Sequence, residues 1–341
     1  MRNKLLLLIL FYSTAIRGFS QTLGGNTVFN FLTQPATAQL SALGGVNISS
    51  IGNDIGMAFH NPSLLRKEMD RQWNTSFNAF FAGISQFAAT TGFYLPAQDI
   101  NLGAGVQYLH YGDILQTDAS GNVLGNIRPV DYTVQVMASK QYMERFVIGA
   151  TAKMINSNYG FYRSSGLAMD VSLLYRDTVS QLQVGIVFKN MGTQLKSYSA
   201  DIPKEELPFD IQAGISKRLK NAPVQFSLTA HHLQQLNIHY NDTLFNASEG
   251  FSDHTTWQKG LAHFVLSSQI YLSDHFEFIL GYNFLRRQEL NAYGMLSGMN
   301  GFSFGTAIHL RKLKVWYATG MYQQNMFHQF SLNFNFAGKV L

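Results

Sequence analysis

In the stretch His328-Gln-Phe-Ser-Leu-Asn-Phe-Asn-Phe336, every second residue is apolar. Phe330, Leu332, Phe334 and Phe336 fall on one face; Gln329, Ser331, Asn333 and Asn335 fall on the other. Side chains of a strand point alternately to its two faces, so this pattern predicts a β-strand with one oily side. The same period recurs upstream. In 181–190, Leu182, Val184, Ile186 and Phe188 oppose Gln181, Gln183, Gly185, Val187 and Lys189. In 222–231, Val224, Phe226, Leu228 and Ala230 oppose Gln225, Ser227, Thr229 and His231. In 275–284, Phe276, Phe278, Leu280, Tyr282 and Phe284 oppose His275, Glu277, Ile279, Gly281 and Asn283. Segment 84–96 alternates more weakly, with Thr on both faces.

Fourteen such segments are predicted: 72–82, 84–96, 99–111, 130–142, 144–155, 164–177, 181–191, 208–219, 222–233, 261–273, 275–286, 299–311, 313–322 and 327–337. Most reach the roughly 9–11 residues that a tilted strand needs to cross a membrane. An even number suits a closed single-chain barrel. Period two alone would also fit a soluble β-sandwich, so the connections decide. After the even-numbered segments they are tight: around Asp99, around Glu144, Asp177-Thr-Val-Ser180, Lys220-Asn-Ala222, Ser273-Asp274 and Arg311-Lys-Leu313. The long ones, 112–129, 192–207, 234–260 and 287–298, all follow odd-numbered segments. Short turns at one end and long loops at the other are the plan of an outer-membrane barrel, turns inside and loops outside. The seven prolines agree, since none falls in mid-strand, where the ladder needs an N–H. The predicted fold is therefore all-β: a transmembrane antiparallel β-barrel of fourteen strands, integral to the bacterial outer membrane. Phe330, Leu332, Phe334 and Phe336 should face acyl chains, and backbone at that depth must close its own ladder.

Composition sharpens this. The start, Arg2 and Lys4 before Leu5–Ile16 and then Gly18 and Ser20, reads as a signal peptide over residues 1–20. The formal charge of +5 is partly its contribution; without Arg2, Lys4 and Arg17 the balance is 22 against 20, or +2. The basic pI is thus poor ground for a nucleic-acid partner, and no basic patch interleaved with aromatics supports one. The absence of cysteine excludes disulfides, thiolate metal sites and a Cys nucleophile. Charged residues make up 13%, well under the usual share, and aromatics another 13%, which suits a surface exposed to lipid.

Fourteen strands enclose more space than their own side chains fill, since about eight already pack solid. Residues 21–71 are small, polar and glycine-rich with isolated apolar anchors. They are expected to start at the periplasmic end and to form an N-terminal plug, the alternative being an ordered arm under the barrel. Met57–Leu65 reads as a short helix broken at Asn61-Pro62. The remainder, 72–341, is the barrel.

Chemistry is sparse, and the expectation is a non-enzymatic protein without cofactor or metal. Gly301-Phe-Ser-Phe-Gly305 matches G-x-S-x-G, but it sits in an alternating strand rather than at a strand-to-helix turn, so Ser303 reads as a luminal residue. His309 shares that strand, roughly 20 Å away at about 3.3 Å per residue. His231 and His232 should point to opposite strand faces, and His239, His254 and His263 are scattered. Asp170 falls on the luminal face and needs a partner, for which Lys153 is the candidate. The loop 234–260 carries Phe245, Phe251 and Trp257 among polar residues, a mix that serves as interface anchors.

Two stretches carry a resemblance. Gly24-Gly25, Val28-Phe29, Phe31-Leu32, Pro35 and Ala42-Leu43-Gly44-Gly45, with His60-Asn61-Pro62-Ser63-Leu64-Leu65, closely resemble the start of the PorQ outer-membrane proteins of the Bacteroidota type IX secretion system. Asn61-Pro62 is similar to an element in the plug of the wider FadL-like barrels, of which the PorV proteins are also relatives. Ser63 stands where those usually have Ala, and Thr37-Ala38-Gln39 stands where Ser-Ala-Arg is usual. The resemblance implies a plug motif at Gly44, Gly45, Asn61 and Pro62. It further implies an anchoring subunit of a surface attachment complex, with a PorU-like sortase, a PorV-like barrel and a PorZ-like lipopolysaccharide-binding protein as partners. The alternative function is a FadL-like channel for hydrophobic small molecules, with a lateral gap at Gly103 and Gly105 of the third segment.

Overall fold

A computed structural model describes residues 27–238, 255–290, 298–322 and 325–336. The expected signal peptide, Gly24, Gly25, Phe245 and Phe251 lie outside these residues. The strands are β1 (Gln72–Ala79), β2 (Ser85–Leu95), β3 (Ile100–His110), β4 (Ile114–Thr117), β5 (Val123–Ile127), β6 (Val130–Tyr142), β7 (Phe146–Tyr159) and β8 (Tyr162–Asp177). There follow β9 (Leu182–Lys196), β10 (Asp210–Arg218), β11 (Val224–Ala230), β12 (Phe264–Tyr271), β13 (Phe276–Asn283), β14 (Phe302–His309), β15 (Leu313–Tyr322) and β16 (Asn325–Asn335). All but β4 and β5 form one closed antiparallel barrel of fourteen strands, each paired to its neighbours in chain order. β16 closes the ring on β1, with Phe77 opposite Phe330 and Trp73 opposite Phe334.

The alternation read from the sequence is the inside–outside alternation of the wall. In β11, Gln225, Ser227 and Thr229 are buried, while Phe226 and Leu228 are exposed. In β16, Gln329, Ser331 and Asn333 are buried, while Phe330 is 49% exposed. An outer surface of Phe, Leu, Ile and Val over a polar interior is the reverse of a soluble protein, and only a lipid surround makes it stable. Among the described residues no helix is long and apolar enough to span a membrane, so the crossing is made by strands.

The tight turns are where the connections placed them. Three carry a non-glycine residue in the left-handed region: Asp99 (φ 52°), Met143 (φ 57°) and Gln181 (φ 54°). The opposite end differs in detail from expectation. The loop 112–129 contains a hairpin of its own, β4 paired with β5, standing outside the ring. Short helices, Thr256–Ala262 and Phe284–Glu289, follow the ends of the long loop and of β13.

The path of residues 27–71 corrects one expectation. Thr27 forms a parallel bridge with Glu206, and the Val28 N–H donates to the Glu206 carbonyl at 2.9 Å. Glu206 lies between β9 and β10, at the long-loop end. Val28, Phe29, Phe31 and Leu32 then pack with Leu109, Ile155 and Leu207, again at that end. The segment therefore enters at the outer mouth, not the periplasmic one. It reaches the turn end near Asp54, doubles back, and returns to the turn end to start β1. A cysteine at Thr27 tests this cleanly, because the chain has none of its own. Thr27→Cys should label with a membrane-impermeant maleimide on intact cells, whereas Ser273→Cys, on a periplasmic turn, should label only after the outer membrane is permeabilised. The reverse pattern would refute the path.

Candidate functional site

The site is built where residues 27–71 meet the inner face of the ring. Most contacts are between segment backbone and small or amide side chains of the wall. The Ala38 N–H donates to Ser331 Oγ (2.8 Å), and Ser41 Oγ donates to Gln329 Oε1 (2.5 Å). Gln86 Nε2 reaches the Pro35 carbonyl (2.8 Å), Gln135 Nε2 the Phe59 carbonyl (2.9 Å), and Ser139 Oγ the Leu65 carbonyl (2.7 Å). Ser49 Oγ meets Ser216 Oγ at 2.8 Å, and Trp316 Nε1 donates to Asp54 Oδ2 at 2.7 Å. Irregular backbone is tolerable at membrane depth only with such partners, so the amide-rich inner face and the segment are complementary.

The motif residues of the resemblance, too, lie against the wall. The helix Ala38–Ala42 is capped at its start by Thr37 and ends in Gly44 (φ 91°) and Gly45 (φ 89°). The Gly45 N–H returns to the Leu40 carbonyl at 2.9 Å, a left-handed stop that favours glycine. The Gly44 carbonyl accepts from Asn283 Nδ2 at 3.1 Å, and a Cβ at Gly45 would come within 2.8 Å of the Arg286 guanidinium. The expected helix over Met57–Leu65 is instead two 3-10 turns, Ile55–Phe59 and Pro62–Leu64. Asn61 divides them because it is the cap of the second. Its Oδ1 accepts from the Ser63 N–H (3.1 Å) and Ser63 Oγ (2.7 Å), and its Nδ2 donates to the Ile48 carbonyl (2.6 Å). Pro62 at the first position of that turn has no N–H to satisfy. Ser63, where Ala is usual among the FadL-like barrels, thus adds a bond to Asn61.

Deeper in the lumen lies a charged cluster. Lys153 Nζ pairs with Asp170 Oδ2 at 2.7 Å, both side chains nearly fully buried, as the sequence suggested. His60 accepts the Ala36 N–H at Nε2 (3.0 Å) and faces Lys189 Nζ with Nδ1 (3.2 Å). At the outer mouth Tyr111 and Tyr159 both donate to Asp131 Oδ2 (2.5 and 2.9 Å). Burial, and then the bond to Asp131, pushes the Tyr111 hydroxyl up.

Other expected positions fall as follows. Trp257 lies on the helix Thr256–Ala262 and is 75% exposed. Gly301–Gly305 runs into β14 with no strand-to-helix turn, and Ser303 Oγ accepts from Arg286 at 3.1 Å inside the barrel. His231 and His232 do not point to opposite faces: β11 ends at Ala230, His232 turns left-handed (φ 55°), and the two rings stack edge-on at 4.8 Å. Among the described residues no group of three His, Asp or Glu is arranged to hold a metal ion. Gly103 and Gly105 leave no lateral gap. β3 is paired to both neighbours through its length, and side chains of Leu65 and Phe59 sit against the two glycines.

The turn end holds what sequence reasoning missed. A cavity of about 990 Å³ opens there beneath Gln39 and Asp54, between Arg218, Tyr271, His275, Glu277, His309 and Trp316. Tyr271, Gln269, Glu277 and His309 line it, tied into one hydrogen-bonded row through the buried Gln225: Tyr271 Oη to Gln225, Gln225 to Gln269 (2.6 Å), Gln269 to Glu277 (2.6 Å), with His309 Nε2 at 3.4 Å from Glu277. The sequence signal was present, since these are the polar-face residues at the periplasmic ends of four strands.

No family model matches the chain, and no curated protein matches it in sequence. Solved structures do match in fold. The CymD monoaromatic hydrocarbon channel aligns with a TM-score of 0.51 at 13% identity, over 90% of this chain and 97% of its own. A TodX monoaromatic hydrocarbon channel mutant aligns with a TM-score of 0.51 at 11% identity, over 87% and 97%. A Pseudomonas aeruginosa FadL homologue aligns with a TM-score of 0.50 at 9% identity, over 89% and 98%. With its closed ring of fourteen antiparallel strands and its apolar outer surface, the chain has the fold of these outer-membrane channels and is integral to the outer membrane.

Proposed function

We propose that residues 21–71 act as a permanent plug and that the barrel is a non-enzymatic anchoring subunit of a type IX secretion attachment complex. One observation carries this reading. Residues of the PorQ resemblance, Ala42 to Gly44 and Pro62 with Ser63, lay their backbone against wall glycines Gly281 and Gly149. A segment fitted backbone-to-backbone into its wall suits a fixed support better than a gate. The exposed Trp257 helix and the outer loops would then bear the partners: a PorU-like sortase, a PorV-like barrel and a PorZ-like lipopolysaccharide-binding protein. The test is purification of the tagged barrel from native membranes in mild detergent. Sortase-like and lipopolysaccharide-binding proteins should come with it, and Trp257→Ala with a shortened 239–254 loop should lose them.

The likeness of fold to CymD and TodX favours a second reading, a channel for hydrophobic small molecules. A partner-free monomer carrying bound fatty acid or aromatic hydrocarbon would establish that reading and overturn the first.

A further inference from the structure

The wall is not of even height. Strands β6 to β9 hold 13, 14, 16 and 15 residues. Strands β10 to β14, which follow them round the ring, hold 9, 7, 8, 8 and 8. At about 3.4 Å per residue and a tilt of about 40°, the first group rises about 33–40 Å and the second about 18–23 Å. The apolar band of an outer-membrane barrel is about 25 Å tall. One side therefore overtops the bilayer and the other falls short of it. On the low side the ladder stops abruptly at its outer end. β11 gives way to the His231–His232 corner, β12 begins just after the helix Thr256–Ala262, and β13 runs straight into the helix Phe284–Glu289. A bilayer that meets too short a wall must thin, or the protein must associate, at a cost that grows with the mismatch.

The low wall also carries a hollow of about 420 Å³ on its lipid face, over β10 to β13. Lys217, Phe226, Ser268 and Leu280 form one outward row, each opposite the next, and Ser268 is its smallest side chain. Ser268 thus makes the floor of the hollow, with Leu266 and Tyr282 standing along its edge. Phe226, directly opposite Ser268, is 53% exposed and stands beside the hollow as a knob. Lys217, the cation at the rim, turns its ammonium to the Ser180 carbonyl on a periplasmic turn. The hollow consequently offers shape and apolar surface rather than charge for a lipid headgroup.

We infer that the low wall is a lateral interface within the membrane, and that its occupant is a second copy of this chain related by a two-fold axis along the membrane normal. Such an axis makes a surface meet itself, so it needs a knob and a hole side by side at nearly the same height. Phe226 and the hollow over Ser268 supply them, each copy's ring entering the other's hollow. A small residue in place of a large one is also what lets membrane-embedded surfaces approach closely. An acyl chain settled in the hollow would fill it and leave the bilayer deformed against the same short wall. A second short wall fills the hollow and takes the place of the deformed lipid. The interface goes beyond the attachment role and does not depend on it.

Because the chain has no cysteine, one can be placed on either side of the ring. Leu266→Cys, on the low wall, and Leu167→Cys, exposed on β8 of the high wall, would be made in the whole barrel. Each would be reconstituted at high dilution in phosphatidylcholine bilayers of myristoleoyl, oleoyl or erucoyl chains and treated with a short bismaleimide. Leu266→Cys should give cross-linked dimer, rising about threefold or more from the thinnest bilayer to the thickest, and Leu167→Cys little in any. Adding Ser268→Trp, which fills the hollow from the lipid side, should cut the dimer about tenfold while the folded electrophoretic mobility is kept. Phe226→Ala removes the knob, leaves the hollow open and should lower the yield likewise. Equal dimer from both walls, no dimer from Leu266→Cys, or a yield indifferent to Ser268→Trp or to bilayer thickness overturns the interface. The same variant carrying a maleimide–benzophenone in native membranes reads the rival occupants. A cross-link to a different barrel, or to lipid alone, in place of a second copy overturns it as well.

Discussion

Gly281→Val should destabilise the barrel by about 1–3 kcal/mol, the usual cost of forcing atoms into a packed interior. Strand propensity argues the other way, because valine suits a strand better than glycine by up to about 1 kcal/mol. Packing wins here because the atoms in the way are backbone. A Cβ on Gly281 would fall 2.6 Å from the Leu43 carbonyl carbon, and it would also collide with the Ala42 oxygen and the Gly44 nitrogen. A side chain could rotate aside; a helix end locked by two left-handed glycines cannot. Gly149→Val repeats the experiment almost across the ring, where the Pro62 carbonyl carbon lies 2.5 Å from the added atom. The two strands, β13 and β7, stand six places apart in the barrel, so the costs should add. Urea unfolding from liposomes reads the stability. Hydrogen exchange of residues 36–65 reads whether the segment has left the wall. Gly260→Ala, whose Cβ would meet nothing within 4 Å, is the control and should change little. Wild-type stability for Gly281→Val would mean that the helix end does not rest on the wall at all.

The contrast between wall and segment explains what could be read without coordinates. The wall was legible because lipid imposes one rule on every strand: an apolar residue outside at every second position. Pro, turns and loop lengths then fix number and direction, and 130–142 and 313–322 come out with their bounds unchanged. The segment obeys no period. It is held by isolated bonds from Ser, Gln and Asn of the wall and by backbone seated on glycines, so its motif residues were visible but its direction was not. The bridge from Thr27 to Glu206 joins positions with no pattern linking them. The β4–β5 hairpin escaped notice for the opposite reason. Leu115, Val123 and Leu124 are each more than 60% exposed, so no alternation between a buried and a free face marks it. His231 and His232 were misplaced because a strand end is the least periodic part of a strand: two residues past the last ladder bond, φ of His232 is already positive.

Asp170→Ala should be the most damaging single substitution, at about 3–5 kcal/mol, because it leaves Lys153 charged and buried without its partner. More than one ion pair depends on Asp170. The β8–β9 ladder slips between Met169 and Val171, and Asn190 bulges there with φ 56°. A bulge leaves a backbone group without its ladder partner. Here Asp170 Oδ1 accepts the Asn190 N–H at 2.8 Å, while Lys153 Nζ, paired with Oδ2, donates to Asn190 Oδ1 at 2.8 Å. Asn190 Nδ2 then ties to the Pro208 carbonyl at 2.9 Å, fixing the start of β10. Charge and bulge can be separated by substitution. Asp170→Asn keeps an oxygen for the Asn190 N–H but strands the ammonium; Lys153→Met strands the carboxylate. Each alone should cost several times more than the double variant, in which no charge remains and the bulge keeps its acceptor. The same urea titration measures all four proteins of the cycle. Additive costs would mean that the two groups do not interact, and that Asp170 serves the bulge alone.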